Sequence, residues 1–170
     1  MAVNIYGGGA NTNRFGLQFE QETSLQAALM DAGYDIRDYT VFERGEAIAV
    51  LGSKHDFIRN ILKPLEIDAG ILSKKLLPDD AIVNFKNGTV YIIEKKFQHG
   101  SGSVDEKLQT CDFKKKQYQK LFRNHNAKVE YCYICNDWFK QAIYKDVIDY
   151  IHSVGCHIFF NEIPLEFLGL

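Results

Sequence analysis

Pro78-Asp79-Asp80-Ala81-Ile82-Val83-Asn84-Phe85-Lys86-Asn87-Gly88-Thr89-Val90-Tyr91-Ile92-Ile93-Glu94-Lys95-Lys96 is the stretch that decides the fold. Ala81 to Phe85 and Thr89 to Ile93 are runs of β-branched and aromatic residues, the composition of strands. Asn87-Gly88 between them signals a hairpin, because both residue types tolerate φ > 0. A two-residue Asn87-Gly88 loop pairs Lys86 with Thr89, so that paired residue numbers sum to 175. Phe85 then faces Val90, Val83 faces Ile92, Ala81 faces Glu94 and Asp79 faces Lys96. Side chains alternate along a strand, and directly paired residues share a face. This pairing gathers Asp79, Glu94 and Lys96 on one face at the end far from the turn, and sends Asp80 and Lys95 to the other. A three-residue loop would shift the register and favour Asp80 instead.

Outward from the hairpin the elements alternate. Upstream, a helix is expected from about Leu17 to Ala32, ended by Gly33. Short strands follow at Tyr39 to Glu43 and Ala47 to Leu51, then a short helix from His55 stopped at Pro64. Downstream, Ser103-x-x-Glu106 has the form of a capping box. Val104, Leu108, Cys111, Tyr118 and Phe122 then recur at helical spacing to about residue 123. Val129 to Cys135 reads as a buried strand, Asp137 to Ser153 as a helix and Cys156 to Phe160 as a last strand. The order predicts one α/β domain spanning residues 1–170, with a central mixed β-sheet flanked by helices.

Composition agrees. A chain of 170 residues with 46% apolar content fills one core, and 25% charged residues with 3 prolines do not describe a disordered chain. No run of 18 apolar residues is present and the start has no basic region leading into an apolar one, so neither a membrane span nor a secretory signal is expected. The 4 cysteines are too sparse for a disulfide scaffold, which favours reduced thiols and a cytoplasmic setting. Cys132-x-x-Cys135 lies within a strand, where alternation puts the two sulfurs on opposite faces, so zinc or redox chemistry is not expected there. The net charge of −2 argues, as an average, against a polyanionic partner.

The hairpin cluster has a chemical use. Mg²⁺ prefers hard oxygen ligands and keeps several waters. Asp79 and Glu94 offer two such oxygens and the backbone carbonyl of Lys95 a third. A metal held there can polarise a phosphodiester and acidify bound water, while Lys96 holds the attacking water and offsets charge developing on phosphorus. The plain alternative is a salt bridge at a hairpin end. Against it stands the position of Glu94 directly after a buried strand, where a charge is costly unless matched.

Pro78-Asp79 followed by Glu94-Lys95-Lys96 resembles the signature of the PD-(D/E)XK nuclease superfamily, whose members share an α/β core and cut DNA with a divalent metal. Tyr91-Ile92-Ile93-Glu94-Lys95-Lys96-Phe97-Gln98 through Gly102-Ser103-Val104-Asp105-Glu106-Lys107-Leu108-Gln109-Thr110 is similar to a subgroup of type II restriction endonucleases, including some that cut beside asymmetric sites. So is Gly16-Leu17-Gln18-Phe19-Glu20. The resemblance covers about half the chain. It implies a restriction-endonuclease-like core, Mg²⁺ (with Mn²⁺ able to substitute), metal ligation by Asp79 and Glu94, and catalysis by Asp79, Glu94 and Lys96 with Glu20 near the metal, through water or directly. The helical pattern itself puts Glu20 at the border of the apolar face, compatible with a solvated glutamate. Asp80 departs from the family pattern, which commonly has an apolar residue there, and leaves open which aspartate binds metal.

Double-stranded DNA is the expected partner. Between Lys95 and Lys128 nine Lys or Arg stand against three acids, a local charge of +6 that leaves −8 for the rest. Lys107, Lys114, Lys115, Lys116 and Lys120 fall on the helix after the hairpin and suit phosphate contact. Ser101 and Ser103 lead into its N-terminus, and Gln98 and Gln109 suit hydrogen bonds to DNA backbone or base edges. One constellation per chain implies a homodimer, a heteromeric assembly in which this chain is the cleavage subunit, or sequential nicking. Two other readings fit the same residues: another nuclease of the superfamily, such as a junction resolvase or a transposon or repair nuclease, and a non-catalytic DNA-binding module.

Overall fold

The hairpin forms with a loop longer than two residues. In the computed structural model, which describes residues 16, 18–100 and 104–170, Asn84 pairs with Thr89 and Asp80 with Ile93. Residues 85–88 make a four-residue turn. Two local causes decide this. Gly88 has φ +63 while Asn87 stays out of the left-handed region, so the type I′ turn needed by a two-residue loop does not form. Asn84 is fully buried: its amide donates to the carbonyls of Leu168 (2.8 Å) and Gly169 (3.2 Å), and its Oδ1 accepts from Lys86 N (2.8 Å). Paired numbers therefore sum to 173, not 175. A shift of two residues preserves parity, so the faces are those expected although the partners are not.

These strands are β4 (Asp80–Asn84) and β5 (Thr89–Lys96), the centre of a seven-stranded sheet whose spatial order is its sequence order. Before them run β1 (Asp35–Arg37), β2 (Thr40–Glu43) and β3 (Glu46–Gly52); after them come β6 (Lys128–Cys135) and β7 (His157–Phe160). Pairing is antiparallel from β1 to β5 and parallel from β5 to β7. The sheet is thus mixed and flanked by helices, as expected. Parallel pairs require crossovers. They are α3 (Val104–Leu108) with α4 (Cys111–Phe122), and then α5 (Lys145–Ser153).

Each sheet face carries its own core. Ala81, Ile92, Tyr131 and Tyr133 pack under Tyr118, Phe122 and Ile151 of the crossover helices. Ile82, Ile93 and Ile134 pack under Phe19, Leu25 and Leu29. These last belong to α1 (18–22) and α2 (Leu25–Asp31). The single helix expected from about Leu17 to Ala32 is broken because Ser24 is extended and caps α2, accepting from Ala27 N. The expected helix from Asp137 is likewise two 3₁₀ turns before α5, separated at Gln141, whose ψ of 148° is extended. β1, short and polar, is not foreshadowed by alternation. Phe57–Leu62 forms a π-helical turn packed on β3 at Gly52. The alternation argument for Cys132 and Cys135 holds, with Cys132 in one core and Cys135 in the other. Among the described residues no helix is long and apolar enough to cross a membrane.

Candidate active site

Asp79, Glu94 and Lys96 meet where β4 begins and β5 ends. Lys96 Nζ lies 3.0 Å from Glu94 Oε2, 3.0 Å from the carbonyl oxygen of Lys95 and 4.0 Å from Asp79 Oδ2. Asp79 Oδ2 accepts the backbone N–H of Lys95 at 2.8 Å, which locks the carboxylate to the strand. The Lys96 ammonium also lies 5.7 Å from the centre of the Tyr133 ring. Asp80 and Lys95 form a separate pair on the other face, 2.7 Å apart, and Lys95 Nζ donates to the Glu20 carbonyl at 3.3 Å. The parity of the hairpin thus separates two adjacent aspartates into two environments.

The cluster lines a cleft of about 630 Å³ at the carboxyl ends of the parallel strands. Open α/β sheets bind ligands at that position. Phe19 and Phe97, with ring centroids 5.6 Å apart, form part of its wall. Beneath it lie Tyr118, Tyr131 and Tyr133, whose hydroxyls burial holds far above the usual phenol range, so the floor stays uncharged. Burial also pushes the Asp79 carboxyl above the ordinary carboxylate range, against the opposing pull of the Lys95 N–H. Glu94 adds to the upward push on Asp79 and Lys96 opposes it. Burial does the same to Asp80, partly offset by Lys95.

Other expected site residues fall into separate places. Glu20 lines the cleft, and its carboxylate pairs with Lys54 at 3.1 Å. Lys107 also lines it, and its carbonyl accepts from Tyr133 Oη at 3.1 Å. Lys114 reaches Glu94 Oε2 at 3.1 Å. Lys115 turns away, donating to the Gly155 carbonyl at 2.6 Å and pairing with Glu130 at 3.5 Å. Lys116 pairs with Asp112 on the exposed side of α4. Gln109 lines a different cavity with Tyr144 and Tyr150. Gln98 is buried, held through its backbone by Asn136, and its side-chain amide has no hydrogen-bond partner. Ser101 and Ser103 lie outside the described residues.

Lys54, the ion-pair partner of cleft-lining Glu20, is a residue that sequence reading missed. It precedes the π-helical turn at φ +49, and its N–H donates to the Pro78 carbonyl at 2.7 Å. This contact ties the loop after β3 to the residue before Asp79. No local pattern announces it, because 34 residues separate Lys54 from Glu20.

The donor set suits a hard divalent cation. The Lys96 ammonium is itself a cation seated among two carboxylates and a carbonyl, which is the oxygen environment such an ion requires. Among the described residues no three His, Cys, Asp or Glu side chains converge as a metal-binding group, so the protein oxygens are few. Mg²⁺ tolerates this, because water completes its shell.

A family model described as a PD-(D/E)XK nuclease superfamily domain matches residues 13–129, a span that includes Glu20, Asp79, Glu94, Lys96 and Lys107 but not Tyr131 and Tyr133 of the cleft floor. Among solved structures, the chain is similar to that described as the crystal structure of MunI restriction endonuclease in complex with cognate DNA. The identity is 18% and the TM-score 0.44, over 84% of this chain and 89% of that one. Comparison with curated proteins gives no match.

Proposed function

Because the chain belongs to the PD-(D/E)XK nuclease superfamily, we propose that it is a Mg²⁺-dependent endonuclease. It hydrolyses phosphodiester bonds of double-stranded DNA at or near a specific sequence, as a type II restriction enzyme does. The observation that carries this reading is the convergence of Asp79, Glu94, the Lys95 carbonyl and Lys96 in one cleft. Asp79, Glu94 and the Lys95 carbonyl bind the cation, for which Mn²⁺ substitutes. When bound, the cation supplies Lewis-acid stabilisation and a more acidic water. Lys96 orients the attacking water and offsets the charge that grows on the phosphoryl oxygens. Asp79, fixed by the Lys95 N–H, holds its oxygen in place without reorganisation. Glu20 faces the same cleft and orients water at its rim, with Lys54 holding its carboxylate. Lys107 neutralises a phosphate at the cleft wall. One such site per chain cuts one strand, so a double-strand break uses a homodimer, a partner chain or two successive nicks.

Digestion of plasmid and phage DNA with Mg²⁺ or Mn²⁺, followed by sequencing of the ends, tests the reading. Discrete fragments with a shared flanking sequence are expected. Asp79→Ala and Lys96→Ala should each lower cleavage by roughly 100-fold or more while DNA binding persists. Smears, or cutting confined to branched DNA, would place the chain with another nuclease activity of the superfamily. No cleavage under any of these conditions, alone or with partner chains, would sink the enzymatic reading.

A further inference from the structure

Glu94 carries two ammonium groups on one oxygen atom. Lys96 Nζ is 3.0 Å from Glu94 Oε2, and Lys114 Nζ is 3.1 Å from the same atom. Lys96 arrives from the strand itself. Lys114 arrives from α4, and its side chain is 27% exposed against 65% for Lys116 on the same helix. The turn of α4 thus points Lys114 at Glu94 and leaves Lys116, two residues on, in solvent.

The carboxylates in and behind the cleft are all matched by ammonium groups, with cleft-lining Lys107 left over. Glu20, Asp79, Asp80 and Glu94 stand against Lys54, Lys95, Lys96 and Lys114, and each of the eight takes part in an ion pair with one of the others. A divalent cation arriving at this set meets no surplus negative charge. It also meets two resident cations on one of its oxygen donors. Lys114 is the one able to withdraw, since its side chain is 27% exposed against 13% for Lys96.

We propose that Lys114 is a positioning residue that governs cation occupancy at Glu94. Its ammonium stands in for a metal on Oε2 and competes with the ion for that oxygen. This rests on the reading of Asp79 and Glu94 as the cation-binding pair. A phosphodiester in the cleft gives the displaced ammonium a new anionic partner. Lys114 therefore links cation binding to the presence of DNA: without DNA it opposes the ion, and with DNA it joins the backbone.

Isothermal titration of the metal-stripped full chain with Mn²⁺, without DNA, reads the competition directly. Lys114→Met should bind Mn²⁺ roughly tenfold more tightly than the parent chain, a difference of about 1.4 kcal/mol. Lys140→Met, which removes the same charge from a distant exposed turn, should leave the affinity unchanged. Lys114→Gln serves where the Met variant does not fold, and should also tighten binding. Lys114→Arg keeps the charge and should stay within about twofold of the parent. A merely structural role would displace Glu94 and weaken the ion, so the direction of change separates the two. If Asp79→Ala abolishes Mn²⁺ binding while folded Lys114→Met or Lys114→Gln binds no more tightly than the parent, the role of Lys114 is overturned and the cation site stands. If Asp79→Ala binds Mn²⁺ as the parent does, the cation site itself is wrong and this inference falls with it.

Discussion

Asp79 and Asp80 are neighbours in the chain and strangers in the fold. Asp79 faces the cleft with Glu94, and Asp80 pairs with Lys95 on the opposite face. Two carboxylates crowded into a half-buried site oppose folding in their charged forms, and burial holds the Asp79 carboxyl above its ordinary value of 3.8. The sign follows from linkage. A raised folded pKa means the native state binds more protons than the unfolded chain between the two values, so stability is lost as pH rises through that interval. Asp79→Asn keeps the acceptor for the Lys95 N–H and removes the charge. With metal chelated, the Asn variant should melt above the parent at pH 7, and the gap should close as pH falls toward 4. Thermal unfolding by circular dichroism at several pH values checks this. A gap that widens on acidification would contradict the assignment.

At the scale of elements, parity was legible and register was not. Alternation placed Asp79, Glu94 and Lys96 on one face because the period of a strand is two, and that inference survives any even shift. The loop length depended on Asn84, whose amide is claimed by the carbonyls of Leu168 and Gly169. No window around Asn87-Gly88 contains that information. The same limit hid the pairings of Lys54 and Lys114, which reach Glu20 and Glu94 across 34 and 20 residues of chain. Capping and helix breaks at Ser24 and Gln141 were also missed, since the apolar spacing runs on through both. Gly52 gives an element-scale prediction. A Cβ there would lie 2.8 Å from the Phe57 Cα and 3.0 Å from the Phe57 N, both backbone atoms that cannot swing aside. Gly52→Ala should push the π-helical turn off β3 and cost about 1–3 kcal/mol in urea unfolding. It should also disturb Lys54, two residues on, and so weaken cleavage beyond the stability loss.

Over the whole molecule, the charge count misleads in both directions. The net of −2 hides a segment of +6, and that segment in turn is largely neutralised in the fold. Lys95, Lys96, Lys114, Lys115, Lys116 and Lys128 all sit in ion pairs with carboxylates. Lys107, Lys120 and Arg123 are the exposed members of the segment outside such pairs among the described residues. A DNA complex that uses these three should show a log–log salt dependence with a slope of about −3, at roughly −0.9 per phosphate. Fluorescence anisotropy in Ca²⁺ across a salt series measures it. A slope steeper than about −6 would mean that DNA opens the internal pairs as well.

The hairpin has a last consequence, for how the molecule comes together. Asp79, Glu94 and Lys96 are joined by the four-residue turn 85–88, whereas β5 meets β6 only after the chain has passed through residues 97–127. Closing a short loop forfeits less chain entropy than closing a long one, and local pairings assemble faster than distant ones. Asp79, Glu94 and Lys96 therefore converge at the least demanding step in the assembly of the sheet. The crossover that brings Lys114 to them belongs to a slower and more distant step.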